Sequence, residues 1–196
     1  MQQNEAYFNF EELPIPRLSE ECKQFGEGFI TLEECSKVLN SFALNKAPGN
    51  DGLPVELYRT SWDSVGKLLV ECFNEPFIKV EMSPSQRQAV ITLIEKKDQD
   101  GCDLKNWRPI SLLNVDAKIA SKVIAERLKR VLPDLIHENQ SGYIPGRNIC
   151  DNIRSIIDIM EYTKDKNEPG ILFFIDFEKA FDSLEWDFLN NLLRPK

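Results

Sequence analysis

The chain has 196 residues, 42% of them hydrophobic and 29% charged, with no low-complexity tract. That is long enough to bury a core and too ordinary in composition for a disordered or fibrous protein. The formal net charge of −8 excludes a uniformly basic nucleic-acid coat.

Charge is unevenly spread. Residues 1–36 hold eight acidic side chains against Arg17 and Lys23, whereas residues 104–131 hold seven basic ones against Asp116 and Glu126. Residues 1–28, broken by Pro14 and Pro16, predict a loop-rich extension with one short helix. Thr31-Leu32-Glu33-Glu34 has capping-box spacing, and Leu32, Cys35, Leu39 and Phe42 follow at helical steps, which predicts an amphipathic helix. Asn45-Lys46-Ala47-Pro48-Gly49-Asn50-Asp51-Gly52 contains two turn dipeptides and predicts a tight exposed loop. Pro54 suits the start of a helix carrying Val55, Leu57 and Tyr58, and a further helix is predicted over 62–77.

Ser83-Pro84-Ser85 starts a short helical turn, and residues 89–94 read as a strand by their β-branched content. Lys96-Lys97-Asp98 and a polar loop lead to a second strand ahead of Leu112. Two strands joined at a basic loop suit a phosphate clamp, since lysine brings a mobile point charge and arginine a planar fork. A solvated hairpin tip is the plainer alternative. Residues 115–132 predict the clearest helix, ended by Pro133, with Ile119, Val123, Ile124, Leu128 and Val131 as its apolar stripe. Lys118, Lys122, Arg127, Lys129 and Arg130 lie largely on its other faces.

The glycine-rich segment 140–148 follows, but no Gly-x-x-x-x-Gly-Lys-Ser/Thr occurs, which speaks against a P-loop NTPase. Residues 151–162 predict a helix with Ile153, Ile156, Ile157 and Met160 turned inward. Pro169-Gly170 then opens Ile171-Leu172-Phe173-Phe174-Ile175, a run that fits a strand buried on both faces and ending at Asp176. Ser183 as N-cap and Leu184-Glu185-Trp186 predict a final helix. The five cysteines form no Cys-x-x-Cys pair and His137 is the single histidine, so a zinc site is not expected. No signal peptide opens the chain and no apolar run could span a bilayer, so the expectation is a reduced, soluble, intracellular protein with no membrane partner.

Asp176 followed by Phe177-Glu178-Lys179-Ala180-Phe181-Asp182 resembles motif A of reverse transcriptases, most closely those of non-LTR retrotransposons of the long interspersed element type. Three further stretches resemble motifs of the same family, in family order. They are Lys-Ala-Pro-Gly-x-Asp-Gly-Leu-Pro at 46–54, Trp107-Arg108-Pro109, and Gln-x-Gly-Tyr-x-x-Gly-Arg at 140–147.

The resemblance, which runs from about residue 30 to the last, implies an α+β fold. That fold is a helix-rich fingers subdomain with a small β-hairpin, plus the first strand and helix of a polymerase palm. On this reading residues 1–80 form a mostly helical N-terminal extension, 81–169 the fingers, and 170–196 the start of the palm. The implied activity is RNA-directed DNA polymerisation by two-metal nucleotidyl transfer, with an RNA template, a DNA primer and dNTP as partners.

The family's roles fall on matching positions. Asp176 is the implied catalytic residue and, with the backbone carbonyl of Phe177, a Mg²⁺ ligand. Lys96 or Lys97, the spacing leaving both open, and Arg108 would hold the incoming triphosphate, with Lys179 and Ala180 lending backbone N–H groups. Phe181 matches the aromatic steric gate that favours dNTP over NTP. Gln140 and Arg147 would position template or the fingers–palm junction, and Lys118 and Lys122 would lie near the template strand.

In this family the other metal-binding carboxylates come from a later Asp-Asp pair. Asp176 lies 20 residues before Lys196, and no Ala-Asp-Asp occurs. The expectation is therefore a fingers-plus-motif-A fragment, inactive by itself, with Mg²⁺ binding weak or absent. Two alternatives remain: an RNA-directed RNA polymerase, disfavoured by Phe181 at the gate position, and a non-catalytic RNA-binding fragment.

Overall fold

The computed structural model describes residues 16, 18–97, 100–177 and 183–193, with the backbone alone over 191–193. The elements run α1 (Glu20–Gly26), α2 (Leu32–Ser41), α3 (Val55–Lys79), β1 (Ala89–Glu95), β2 (Trp107–Leu113), α4 (Val115–Leu135), α5 (Ile149–Asp165) and α6 (Trp186–Leu193). This is the helix-rich α+β class expected, with one antiparallel hairpin. The chain divides into two compact units. One is Leu18–Leu135, and the other includes the described residues from Ile136 onward.

In the first unit, local signals set the helix starts. Ser19 accepts from the Cys22 N–H at α1. At α2 the capping box is complete: Thr31 Oγ1 accepts from Glu34 N, and Glu34 Oε2 accepts from Thr31 N at 2.9 Å. The two helices expected over 55–58 and 62–77 are one continuous α3. Thr60 and Ser61, which invite a break in sequence, return their hydroxyls to the Glu56 and Leu57 carbonyls one turn back and stay helical. Between them and Tyr58, Arg59 turns outward and caps α2, donating to the Leu39, Asn40 and Phe42 carbonyls. Likewise α4 runs past Pro133 to Leu135, because a proline so near the C-terminus removes a bond from the last turn only.

The core is built from α2, α3 and α4 together: Ile30, Cys35, Val38, Leu39, Val55, Tyr58 and Phe73 close on Val115, Ile119 and Val123. Burying such a set supplies the dominant favourable free energy of the unit. The hairpin is a projection from this core, with β1 exposed along its length. Its register pairs Ala89 with Leu113 and Glu95 with Trp107. The bond from Lys96 N–H to the Asn106 carbonyl (2.7 Å) sets the alternation, which puts Pro109 at a non-hydrogen-bonded position where its missing N–H costs nothing.

The second unit departs further from expectation. Helix α5 forms from Asn148, which caps the Cys150 N–H, but it has no buried residue. Ile153, Ile157 and Met160, expected inward, are about half exposed. The strand expected over 171–175 is absent, since residues 171–177 carry no helix or strand. Phe173 and Phe174 there are largely exposed. A strand exists only through its ladder, and the one pairing among the described residues is β1 with β2. Among the described residues no helix is long and apolar enough to cross a membrane.

Candidate functional site

Among the described residues of the expected site, Arg108 lies in the β-hairpin and Lys96 directly follows its first strand. The hairpin's connection folds back on itself: Asp100 Oδ1 accepts from Cys102 N, Asp103 Oδ1 from Lys105 N, and the Asn106 side chain donates to the Asp100 carbonyl. The indole N–H of Trp107 donates to the Gly101 carbonyl at 2.9 Å. Lys96 closes this loop, its ammonium donating to the Lys105 carbonyl at 2.7 Å. Lys97 is exposed and has no partner among the described residues. Arg108 pairs with Ile94 across the ladder, so Lys96 and Arg108 are diagonal neighbours on one face, roughly 7–8 Å apart at Cα. Arg108 is exposed. The structure thus brings a lysine and an arginine together at the loop end of the hairpin.

A contact that the sequence reading missed fixes the root of that hairpin. Asn114, only 2% exposed, sits between β2 and α4. Its amide donates to the Ser85 carbonyl (3.0 Å), and its Oδ1 accepts from Asp51 N (3.3 Å). Gly49 lies so close that a Cβ there would meet Asn114 Oδ1 at 2.2 Å. The Lys46–Gly52 loop is therefore docked on the hairpin root. The asparagine directly ahead of α4 was the available signal, but it reads as an ordinary helix cap.

Helix α4 spends its basic side chains inside the unit. Arg127 clasps Glu34 with two bonds of 2.7 and 2.8 Å and also donates to the Gly28 and Phe29 carbonyls. The Arg127 guanidinium, joined by the capping-box bonds from Thr31, pulls the Glu34 carboxyl down to about 2. Lys122 donates to Ser41 Oγ (2.8 Å) and lies over the Phe42 ring. Lys129 pairs with Glu126, and Arg130 stacks over Phe25. Lys118, one turn before Lys122, is half-buried, and its side chain has no polar partner among the described residues. Burial raises the Cys35 thiol to about 11, and it raises the Tyr58 hydroxyl to about 12, with Asp116 and Asp51 nearby adding to the effect. Burial, with Asp51 as a lesser cause, also raises the Asp116 carboxyl.

In the second unit, Gln140 and Arg147 belong to one loop. Gln140 is exposed. Arg147 donates to the Ile136, His137 and Gln140 carbonyls at 2.5–2.8 Å, so its guanidinium organises the loop itself. Asp176 and Phe177 are exposed in the irregular segment after Ile175. Lys179, Ala180 and Phe181 lie outside the described residues. Among the described residues no group of three His, Cys, Asp or Glu side chains converges on one point. The acids that follow Asp176 most closely, Glu178 and Asp182, lie outside the described residues.

Comparison with known proteins adds the following. The model of the family described as reverse transcriptase (RNA-dependent DNA polymerase) matches residues 94–194. A 149 kDa protein of transposon TX1 from Xenopus laevis is 40% identical over 180 residues, 92% of this chain and 14% of its own length. An RNA-directed DNA polymerase from the mobile element jockey of Drosophila melanogaster is 26% identical over 78% of this chain and 17% of its own length. A retrovirus-related Pol polyprotein from the type-1 retrotransposable element R1 of Bradysia coprophila is 24% identical over 80% of this chain and 16% of its own length. The chain thus spans about one sixth of these relatives or less.

Proposed function

This chain belongs to the reverse transcriptase family, and on that premise we propose that it is the fingers and the beginning of the palm of a non-LTR retrotransposon polymerase that copies RNA into DNA. The observation that carries the reading is the juxtaposition of Lys96 and Arg108 on one face at the loop end of the hairpin. Their spacing suits the non-bridging oxygens of a triphosphate, with Arg108 as the planar fork. Lys96 is already bonded to the Lys105 carbonyl, whereas Lys97 is exposed, so Lys97 is the more mobile of the two charges. Lys96 gives one of its three N–H donors to the loop and keeps two for the phosphate oxygens beside Arg108, and Lys97 adds a second, mobile charge. Along α4, Lys118 is the residue assigned to template, because the Lys122 ammonium is held at Ser41 and Phe42.

The test uses a longer polypeptide that contains this chain and extends primers on RNA. Arg108→Ala should raise KM for dNTP by about tenfold or more, the loss of a hydrogen-bonded charge being worth ~1.5–3 kcal/mol, while template affinity stays the same. An unchanged KM removes the clamp. In the same assay Phe181→Val should raise the ratio of NTP to dNTP incorporation if Phe181 is the gate. By themselves these 196 residues should not extend a primer. Extension that Asp176→Ala abolishes would refute that.

A further inference from the structure

Tyr143 is 95% exposed and has φ +62°, the left-handed region that a bulky side chain avoids. Nothing on its own side chain repays that conformation, since no described residue covers the ring. The cost is met on either side of it. Ser141 and Ile144 are buried, the Asn152 amide donates to Ser141 Oγ at 2.9 Å, and Arg147 holds the Ile136, His137 and Gln140 carbonyls. The Arg147 N–H also closes onto the Ile144 carbonyl (3.3 Å). The result is a stiff loop that presents one aromatic ring to solvent.

From this we infer that Tyr143 is a stacking platform for a base of single-stranded RNA. The inference rests on the template-copying reading above and gives it a contact point. Arg147 is the one charged residue from Asn139 to Cys150, with Glu138 and Asp151 at the two ends of that stretch, so the residues on either side of Tyr143 are uncharged. The neighbouring Gln140 amide is exposed and can meet a base edge. An exposed ring needs no hydrogen-bond match to stack, which makes the contact tolerant of sequence, and with the backbone beneath it anchored, binding orders only the two torsions of the tyrosine side chain.

The probes are a fluorescein-labelled oligouridylate and a base-free ribose-phosphate chain of the same length, titrated at low salt against the full chain. Tyr143→Ala should weaken oligouridylate binding at least about fivefold. Tyr143→Trp should keep it. Tyr143→Gly relieves the backbone and folds at least as well as wild type, yet it should lose affinity as Tyr143→Ala does. All four proteins should bind the base-free chain equally. The inference is overturned if Tyr143→Ala matches wild type on oligouridylate, or if it loses equally on both probes. It is also overturned if the variant changes only self-association, which would make the ring a protein contact. Failure of the wild-type chain to bind either probe overturns the RNA-binding reading of this chain as well, so the two failures are distinct.

Discussion

Replacing Glu34 with glutamine keeps the N-terminal cap of α2 nearly intact, since glutamine also serves in a capping box, but it removes the charge facing Arg127. The Glu34 carboxyl drops from 4.5 to about 2 in the folded chain. At ~1.4 kcal/mol per pH unit that is about 3 kcal/mol, and screening of a side chain still 32% exposed reduces it to about 2. A carboxyl lowered by folding stabilises fully above its unfolded value of 4.5 and loses that contribution as pH falls toward 2. At pH 7 the variant should therefore show about thirtyfold faster exchange of the α4 amides than wild type, as expected for about 2 kcal/mol. The gap should narrow below pH 4.5 and close near pH 2. Hydrogen exchange followed on α2 and α4, corrected for intrinsic rates, reads this directly in one unit of a two-unit chain. A gap of constant size from pH 7 to 2.5 would refute the reasoning and point to lost packing instead.

Gly49→Ala should destabilise the first unit by ~1–3 kcal/mol, because the added methyl meets the Asn114 backbone as well as its side chain. Chemical denaturation followed on the fluorescence of Trp62 and Trp107 measures it, and an unchanged midpoint would mean the loop is not docked. Lys96→Met should speed amide exchange over 100–106 while Lys97→Met leaves it unchanged, and equal effects would remove the distinction between the two lysines. Cys35 should resist alkylation at pH 8, its thiol staying protonated up to about 11, while the exposed Cys72, Cys102 and Cys150 react. Peptide mapping after brief iodoacetamide treatment distinguishes them.

The first unit was largely legible because its signals are local. The Thr31 cap, the periodicity of 115–132 and the β-branched run at 89–94 each act within a few residues. Asn114 and Arg127 were not legible as structural residues. Asn114 joins residues 63 and 29 positions away in the chain, and Arg127 reaches Glu34 across 93. In sequence Arg127 looks like one more member of a basic helix face. Ile171–Ile175 failed in the opposite direction: hydrophobicity there predicts a strand, but a strand also needs a neighbour, and composition says nothing about that.

The core has a consequence for how the chain can be dissected. The family match begins at Ile94, inside β1, whereas Val115, Ile119 and Val123 are covered by side chains from Ile30 to Phe73. A polypeptide trimmed to the matched residues would carry α4 with its apolar stripe bare and the Arg127 guanidinium without Glu34. It would also begin beyond Ala89–Leu93, leaving most of β2 without a ladder partner. The stretch matched by the family model starts at Ile94, whereas the compact unit in which that stretch begins starts at Leu18.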